Sequence, residues 1–376
     1  ALAATTVSAV REAARAEAEA ARATAVNDFV LSLLSMPYPF DSGGSGNRSL
    51  RSLLDSGRAR APTVVDARSG RGLDVLMALS RGYAGLGDKA AAAELAGRVV
   101  AARVAAGDRT GALAARTELA DALAHLGRTD ESRAQWDTAI AAMQRRQGPR
   151  AVQVATFMAA RARGRFAAGD LAGAEAELRE VVAILDDSVG PRTVPYSHAL
   201  QWLGHVRLAA GRPADAESSY RAAHAISTRI GANAVEIANI EGDVAMARLA
   251  QGDVAAAESL VLRARARKVT RIGADDPEVA DDEVKLGEIA LARRDAVTAE
   301  AHFTRAAAAY TAAAPLPAWR AVQALDGLAR THRLAGRAAA ARTTAVTALA
   351  TLARDPSGAR LVAPGVRARL DSLAAP

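Results

Sequence analysis

Small and apolar positions recur at helical spacing along most of the chain, in runs punctuated by tight turns. Four stretches show the pattern: "FAAGDLAGAEAELREV" from Phe166, "LAAGRPADAESSYRAA" from Leu208, "LAQGDVAAAESLVLRA" from Leu249 and "RLAGRAAAARTTAVTA" from Arg333. The turns fall at Gly87-Asp88, Gly127-Arg128, Gly169-Asp170, Gly211-Arg212, Gly252-Asp253, Arg294-Asp295 and Gly336-Arg337, at intervals of 40, 42, 42, 41, 42 and 42 residues. A fixed period in this range predicts a solenoid of helical hairpins. Seven residues before the turns stand Ser80, Ala120, Ala162, Gly204, Ala245, Gly287 and Ala329. Five after them stand Ala92, Ser132, Ala174, Ala216, Ala257, Ala299 and Ala341. All are small, which lets two helix axes approach to the low end of the usual separation. Nine residues after the turn, larger residues often fill the remaining space: Trp136, Leu178, Tyr220, Val261 and Phe303.

This order of small, turn, small and bulky positions resembles the tetratricopeptide repeat. "WLGHVRLAAGRPADAESSYRAA" (Trp202 to Ala223) is its best copy, and about seven copies run from Leu73 to Leu352. The resemblance implies an all-α fold, a right-handed superhelical solenoid of about seven hairpins with a period near 42 instead of the usual 34 or so. Arg294 stands where a turn glycine is expected, and most copies lack the aromatic four residues before the turn. Each hairpin has an apolar face it cannot bury alone, and the next copy covers it. At their spacing Trp136, Tyr220 and Phe303 are packing residues.

The ends are less regular. Residues 8 to 35 read as one helix, charged in its first half and apolar later at Val26, Phe29, Val30, Leu33 and Leu34; Pro37 and Pro39 stop it. Asp41 to Ser49 has the composition of a flexible linker, and Leu50, Leu53 and Leu54 restart a short helix. The expected organisation is a charged Ala/Arg/Glu helix over 1–36, a linker and short helix over 37–72, the solenoid over 73–354, and a tail over 355–376 with a capping helix near Val366 to Leu373. This order of elements is similar to the C-terminal half of bacterial transmembrane serine/threonine protein kinases. That resemblance implies a sensor or docking arm whose kinase domain is absent from the chain. It also implies a membrane helix upstream of Ala1, the N-terminal helix as a juxtamembrane segment, and an extracytoplasmic location. Without it, a cytoplasmic location is the expectation. The opening "ALAATTVSAV" reads as a fragment of a longer protein.

Composition narrows the picture further. About a quarter of the residues are alanine and only 3% are aromatic, which suits stacked helices packed through close backbone approach. The formal net charge is +7, with an isoelectric point near 10.3. Lysine occurs only at Lys89, Lys268 and Lys285, and the arginines are interleaved with Asp and Glu. That reads as a solvated face. No basic run flanked by stacking aromatics is present, so no nucleic-acid partner is expected. With no cysteine, disulfides and thiolate metal sites are excluded.

No phosphate loop, kinase catalytic motif or nucleophile elbow occurs in the sequence, so no enzyme activity and no cofactor are expected within this chain. His198 and His205 stand seven apart, about 10 Å along a helix, too far to share one metal unaided. Asp281-Asp282-Glu283 reads as an acidic first turn favoured by the helix dipole, opened by Pro277. The tetratricopeptide resemblance implies that first helices line a groove for a peptide or partner protein. Carried over by position, its residues include Arg81, Asp121, Arg163, His198, Gln201, His205, Asn239, Met246, Glu288 and Arg330. The expected function is a non-catalytic protein-binding scaffold; the alternatives are the kinase arm and the helical region of a bacterial transcription regulator.

Overall fold

The computed structural model describes residues 50–64, 70–312, 318–354 and 365–375. The expected helix over 8–35 and the linker Asp41 to Ser49 lie outside them. Among the described residues there are sixteen α-helices and no strand. They are α1 (Leu50–Val64), α2 (Gly70–Gly85), α3 (Lys89–Ala105), α4 (Arg109–His125), α5 (Thr129–Gln147), α6 (Val152–Ala167), α7 (Leu171–Val189) and α8 (Val194–Ala209). The remainder are α9 (Pro213–Arg229), α10 (Ala234–Ala250), α11 (Val254–Ile272), α12 (Pro277–Ala292), α13 (Ala296–Ala312), α14 (Ala318–Leu334), α15 (Ala338–Arg354) and α16 (Val366–Ala374). They form a helical repeat solenoid. The chain divides into two compact units, Ala1–Leu123 and Ala124–Pro376, with the boundary in the last turn of α4.

In the first unit, α1 packs on α2 through Leu54, whose side chain fills the space a Cβ at Gly82 would occupy, 2.8 Å away. The Tyr83 hydroxyl donates to Asp55 at 2.7 Å. Ser80, at its small-residue position, donates to the Ala92 carbonyl at 2.9 Å, which draws α2 and α3 together.

In the second unit, consecutive helices pair into hairpins. The small positions are all buried: Ala162, Ala245 and Ala329 on first helices, Ala174, Ala216, Ala257 and Ala299 on second helices, each at 0% exposure. Size is reciprocal across each contact. Where the first helix carries glycine, the second carries a ring: a Cβ at Gly204 would sit 2.4 Å from Tyr220, and one at Gly287 would sit 2.7 Å from Phe303. Where the first helix carries alanine, as at Ala162, Ala245 and Ala329, the same second-helix position holds the smaller Leu178, Val261 and Ala345, all buried. The short α16 completes the last cluster, with Val366 and Leu370 against Val322, Ala329, Ala345, Ala348 and Leu352.

The hairpin turn itself is a left-handed residue followed by a helix start. Gly211 has φ +74°, and Arg294 takes φ +60° at the matching place, the one non-glycine in this region among the described residues. Asp170 and Asp253 then cap the next helix, accepting from Gly173 and Ala256 amides at 2.9 and 3.2 Å. Where arginine replaces the aspartate it ties to a carboxylate instead: Arg212 to Glu175, and Arg337 to Glu300 through both terminal guanidinium nitrogens.

Most arginines therefore do more than solvate a face. Glu175, Glu217, Glu258 and Glu300 each stand six residues past a turn, and each pairs with the end of the next first helix or the turn after it. Glu217 accepts from Arg248 and Gln251 at 2.7 and 2.8 Å, and Glu258 takes the Arg293 fork at 2.6 and 2.7 Å. Arg207 and Arg248 occupy the position four before the turn, where the repeat usually places an aromatic.

The acidic triplet is not a first turn. Helix α12 begins at Pro277, and Asp281, Asp282 and Glu283 lie in its second turn, fanned toward three different partners. Asp281 accepts from Tyr310 at 2.5 Å. Asp282 meets Lys268 at 3.0 Å with both side chains fully buried. Glu283 meets Arg265, His302 and Arg305 at 2.7 to 2.9 Å. Burial alone would raise the Glu283 pKa; hydrogen bonds from His302 and Arg305, with the charges of Arg305 and Arg265, outweigh it and hold the carboxyl down to about 2.

Two outcomes follow. Gly287→Ala should cost about 1–3 kcal/mol, because the methyl meets the Phe303 ring. Placed in a Phe303→Leu background, the same change should cost much less. Urea midpoints of the four proteins give the coupling, and additive losses would show that ring and glycine do not share that space. For Glu283 the depressed pKa contributes stability above the unfolded value near 4.5 and loses it as pH falls through about 2. Glu283→Gln should thus lose roughly 2–3 kcal/mol at pH 7, and its deficit should shrink by about half at pH 3. Urea unfolding at the two pH values measures this; an unchanged deficit would mean that the charge contributes nothing.

Candidate functional site

The first-helix face of the second unit is built by α6, α8, α10, α12 and α14. The sequence pattern that buries one stripe of each helix turns the opposite stripe outward, and there the groove residues fall. Gln201 on α8 donates to Asp243 on α10 at 2.7 Å. His205, one turn on, places Nε2 3.8 Å from the same Asp243, while its Nδ1 lies 2.8 Å from the buried Tyr220 hydroxyl. His198 is half-exposed, 3.4 Å from Glu236. Asn239 donates to Glu278 at 3.3 Å, and Arg320 on α14 reaches the other oxygen of Glu278 at 2.9 Å. Arg330 on α14 pairs with Glu288 on α12 and with Asp326, which also takes the Arg369 fork at 2.8 and 2.9 Å. Met246 is half-buried on α10.

Arg163 differs from these. It is exposed on α6, with its guanidinium 5.7 Å from the Trp202 ring centre. Trp202 is half-buried within a run of rings, 6.1 Å from Phe166 and 5.2 Å from His205, which in turn is 5.3 Å from Tyr220. Arg81 and Asp121 belong to the first unit. Arg81 donates to Glu118 at 2.8 Å, and Asp121 lies 3.9 Å from Lys89. The structure thus gathers Gln201 and His205 on Asp243, Asn239 with Arg320 on Glu278, and Glu288 with Arg330.

Several members of these networks lie outside the positions named from sequence: Asp243, Glu278, Lys285, Tyr310 and Arg320. Gly242 leaves room for Lys285, whose ammonium would lie 2.5 Å from a Cβ there. Burial would lower the Lys285 pKa, but Asp243, Asp282 and Asp281 together raise it. Lys268 goes the other way, lowered by burial and by Lys285 despite its bond to Asp282. Burial likewise raises Asp281 against the pull of Arg320 and Tyr310. A signal for these ties does exist in the sequence. Gln201 and Asp243, Glu278 and Arg320, and Glu288 and Arg330 are each complementary pairs 42 residues apart, one repeat period.

The arrangement offers fixed hydrogen-bonding groups on a rigid helical face. Among the described residues no group of three metal-ligating side chains is placed to hold an ion, and none of their helices is long and apolar enough to cross a membrane.

No family model matches the chain, and no curated protein matches it in sequence. Solved structures do match. A Rap protein complexed with competence and sporulation factor aligns over 89% of this chain and 87% of its own, with TM-score 0.59 and 11% identity. Aspartyl phosphate phosphatase F from Bacillus subtilis aligns over 86% and 79%, with TM-score 0.58 and 11% identity. A tetratricopeptide repeat protein from Parabacteroides merdae aligns over 81% and 99%, with TM-score 0.55 and 13% identity. At these identities the likeness concerns architecture, and it agrees with the small-residue register and the hairpin turns: the chain has the fold of a tetratricopeptide-repeat solenoid.

Proposed function

We propose that the chain is a non-catalytic interaction module that holds an extended segment of a partner protein along the first-helix face of its second unit. The observation that carries this reading is the combination of a pre-organised face with an exposed anchor. Gln201, His205, Asn239, Glu288 and Arg330 are held by neighbouring side chains, so little entropy is lost when a partner binds. Exposed Arg163 over half-buried Trp202 supplies a pair of the residue types that dominate binding energy at interfaces. A Rap protein of similar fold has been solved in complex with competence and sporulation factor, which supports a binding role by analogy of fold. The order of elements toward the N-terminus supports a narrower reading, the docking arm of a bacterial signalling protein related to transmembrane kinases. The coding sequence upstream of Ala1 tests that narrower part: an apolar run of about 20 residues preceded by kinase motifs supports it, and their absence removes it.

The binding reading is tested on two classes of variant. Arg163→Ala and His198→Ala alter exposed side chains and should change stability by no more than about 0.5 kcal/mol. They should weaken the retention of peptides selected from a displayed library on the wild-type chain. His205→Ala should instead cost about 1–3 kcal/mol, because it leaves the buried Tyr220 hydroxyl without its partner. Selected peptides that bind both exposed variants as tightly as wild type, or a library that yields none, would remove the first-helix face as the binding surface.

A further inference from the structure

The second helices of the same unit carry a different pattern. Past Glu217, Glu258 and Glu300, residues 218–229 of α9, 259–272 of α11 and 301–312 of α13 contain no Asp or Glu. They do contain Arg221, Arg229, Arg263, Arg267, Arg271 and Arg305, all exposed. Arg221 pairs with Glu217 of its own helix at 2.6 Å, and the other carboxylates within reach rise from below. Glu241 of α10 meets Arg267 at 2.7 Å, His224 of α9 at 3.3 Å and Arg263 at 4.0 Å. Glu283 of α12 meets Arg265 of α11 at 2.8 Å, and His302 and Arg305 of α13 at 2.7 and 2.9 Å. Each buried carboxylate therefore joins two successive second helices and is ringed by two guanidinium groups and an imidazole.

The charges do not balance. Two carboxylates face four arginines, and each guanidinium has five donors of which these contacts use one or two. Arg229 and Arg271 add two more cations to the outer ends of α9 and α11. The arrangement also repeats with the fold: Glu241 and Glu283 are 42 residues apart, as are Arg263 and Arg305. Leu262 stands 50% exposed amid the α11 arginines. The aromatic rings of Tyr220, Phe303 and Tyr310 on these helices are all buried, which leaves no aromatic platform here for stacking bases.

We propose that the second-helix surface of α9, α11 and α13 is a docking site for an acidic, carboxylate-rich segment of a partner protein. The surplus guanidinium donors would take its carboxylates, and Leu262 would meet an apolar side chain between them. This surface lies on the helices that alternate with those of the first-helix face, so it can bind whether or not that face does.

The experiment is fluorescence anisotropy with the full chain and a fluorescein-labelled Glu-rich peptide carrying one leucine, at about 0.1 M salt. Arg263→Gln with Arg271→Gln removes two exposed cations; Arg263 is the outermost of the Glu241 contacts. Arg145→Gln with Arg146→Gln removes the same charge from the exposed end of α5 as a control. The first pair should weaken binding by about tenfold and the control pair by less than about twofold, with circular dichroism melts matching wild type. If the Arg263 pair unfolds the chain, Arg229→Gln with Arg271→Gln replaces it, with the same expectation. Equal losses in test and control pairs would reduce the effect to net charge and overturn the proposal, as would no binding. So would a single-stranded oligonucleotide held more tightly than the peptide with the same dependence on Arg263 and Arg271.

Discussion

The second unit depends on how closely two helix axes can approach within one hairpin. That distance is set where Gly204 meets Tyr220 and Gly287 meets Phe303. A glycine opposite a ring and an alanine opposite Leu178 or Val261 occupy comparable volume, so the spacing survives while the residues change. Close packing tolerates such exchange when total volume is conserved. This explains how a chain with so few aromatics builds a continuous core. Alanine supplies the helix propensity and the narrow separation, and in four hairpins one larger residue, Leu178, Tyr220, Val261 or Phe303, fills what remains. Phe303 serves two contacts at once, since a Cβ at Gly327 would also strike it, at 2.2 Å. It fills both its own hairpin and the seam to the next.

Narrow separation has an electrostatic consequence. Helices this close bring side chains of successive repeats within bonding distance, and charges caught between them must be paired or become costly. Glu217, Glu241, Glu283 and Asp326 are all nearly buried, and all are met by arginine from an adjacent helix. Apolar stripes rich in alanine are nearly interchangeable and would tolerate a slip of one helical turn. A slip would leave these carboxylates facing methyl groups. The ionic ties thus favour one register among several that apolar packing alone would allow.

This division also decides what could be read from the sequence. Turns and small positions are legible because each repeats at a fixed place along the chain, and even Arg294 in a glycine's place could be located by count. Its left-handed backbone is visible only in the structure, where the Arg294 amide donates to the Leu291 carbonyl and the Asp295 amide to that of Ala290. The ties join residues on different helices, 14 to 43 positions apart, so a local reading assigns them wrongly. Asp281, Asp282 and Glu283 look like a dipole-favoured helix start because charge near a helix opening usually is one. Their actual partners are Tyr310 on α13 and Lys268 and Arg265 on α11, the helices on either side. Gln201 and His205 looked like free contacts for the same reason. Seen only on their own helix they are exposed polar groups; beside α10 they are occupied.

The two faces of the second unit would therefore recognise partners by different physics. On the first-helix face, acids and bases are largely matched to one another, as Glu278 is to Asn239 and Arg320. A partner there gains from shape, from rings such as Trp202 and from hydrogen bonds to groups already in place, and such binding responds weakly to salt. On the second-helix surface, cations outnumber the carboxylates beneath them. A partner there gains from charge, and exposed charges are screened over about 10 Å at 0.1 M salt. Dependence on ionic strength would separate the two modes, because the same buried glutamates that fix the register also determine how much positive charge is left unmatched above them.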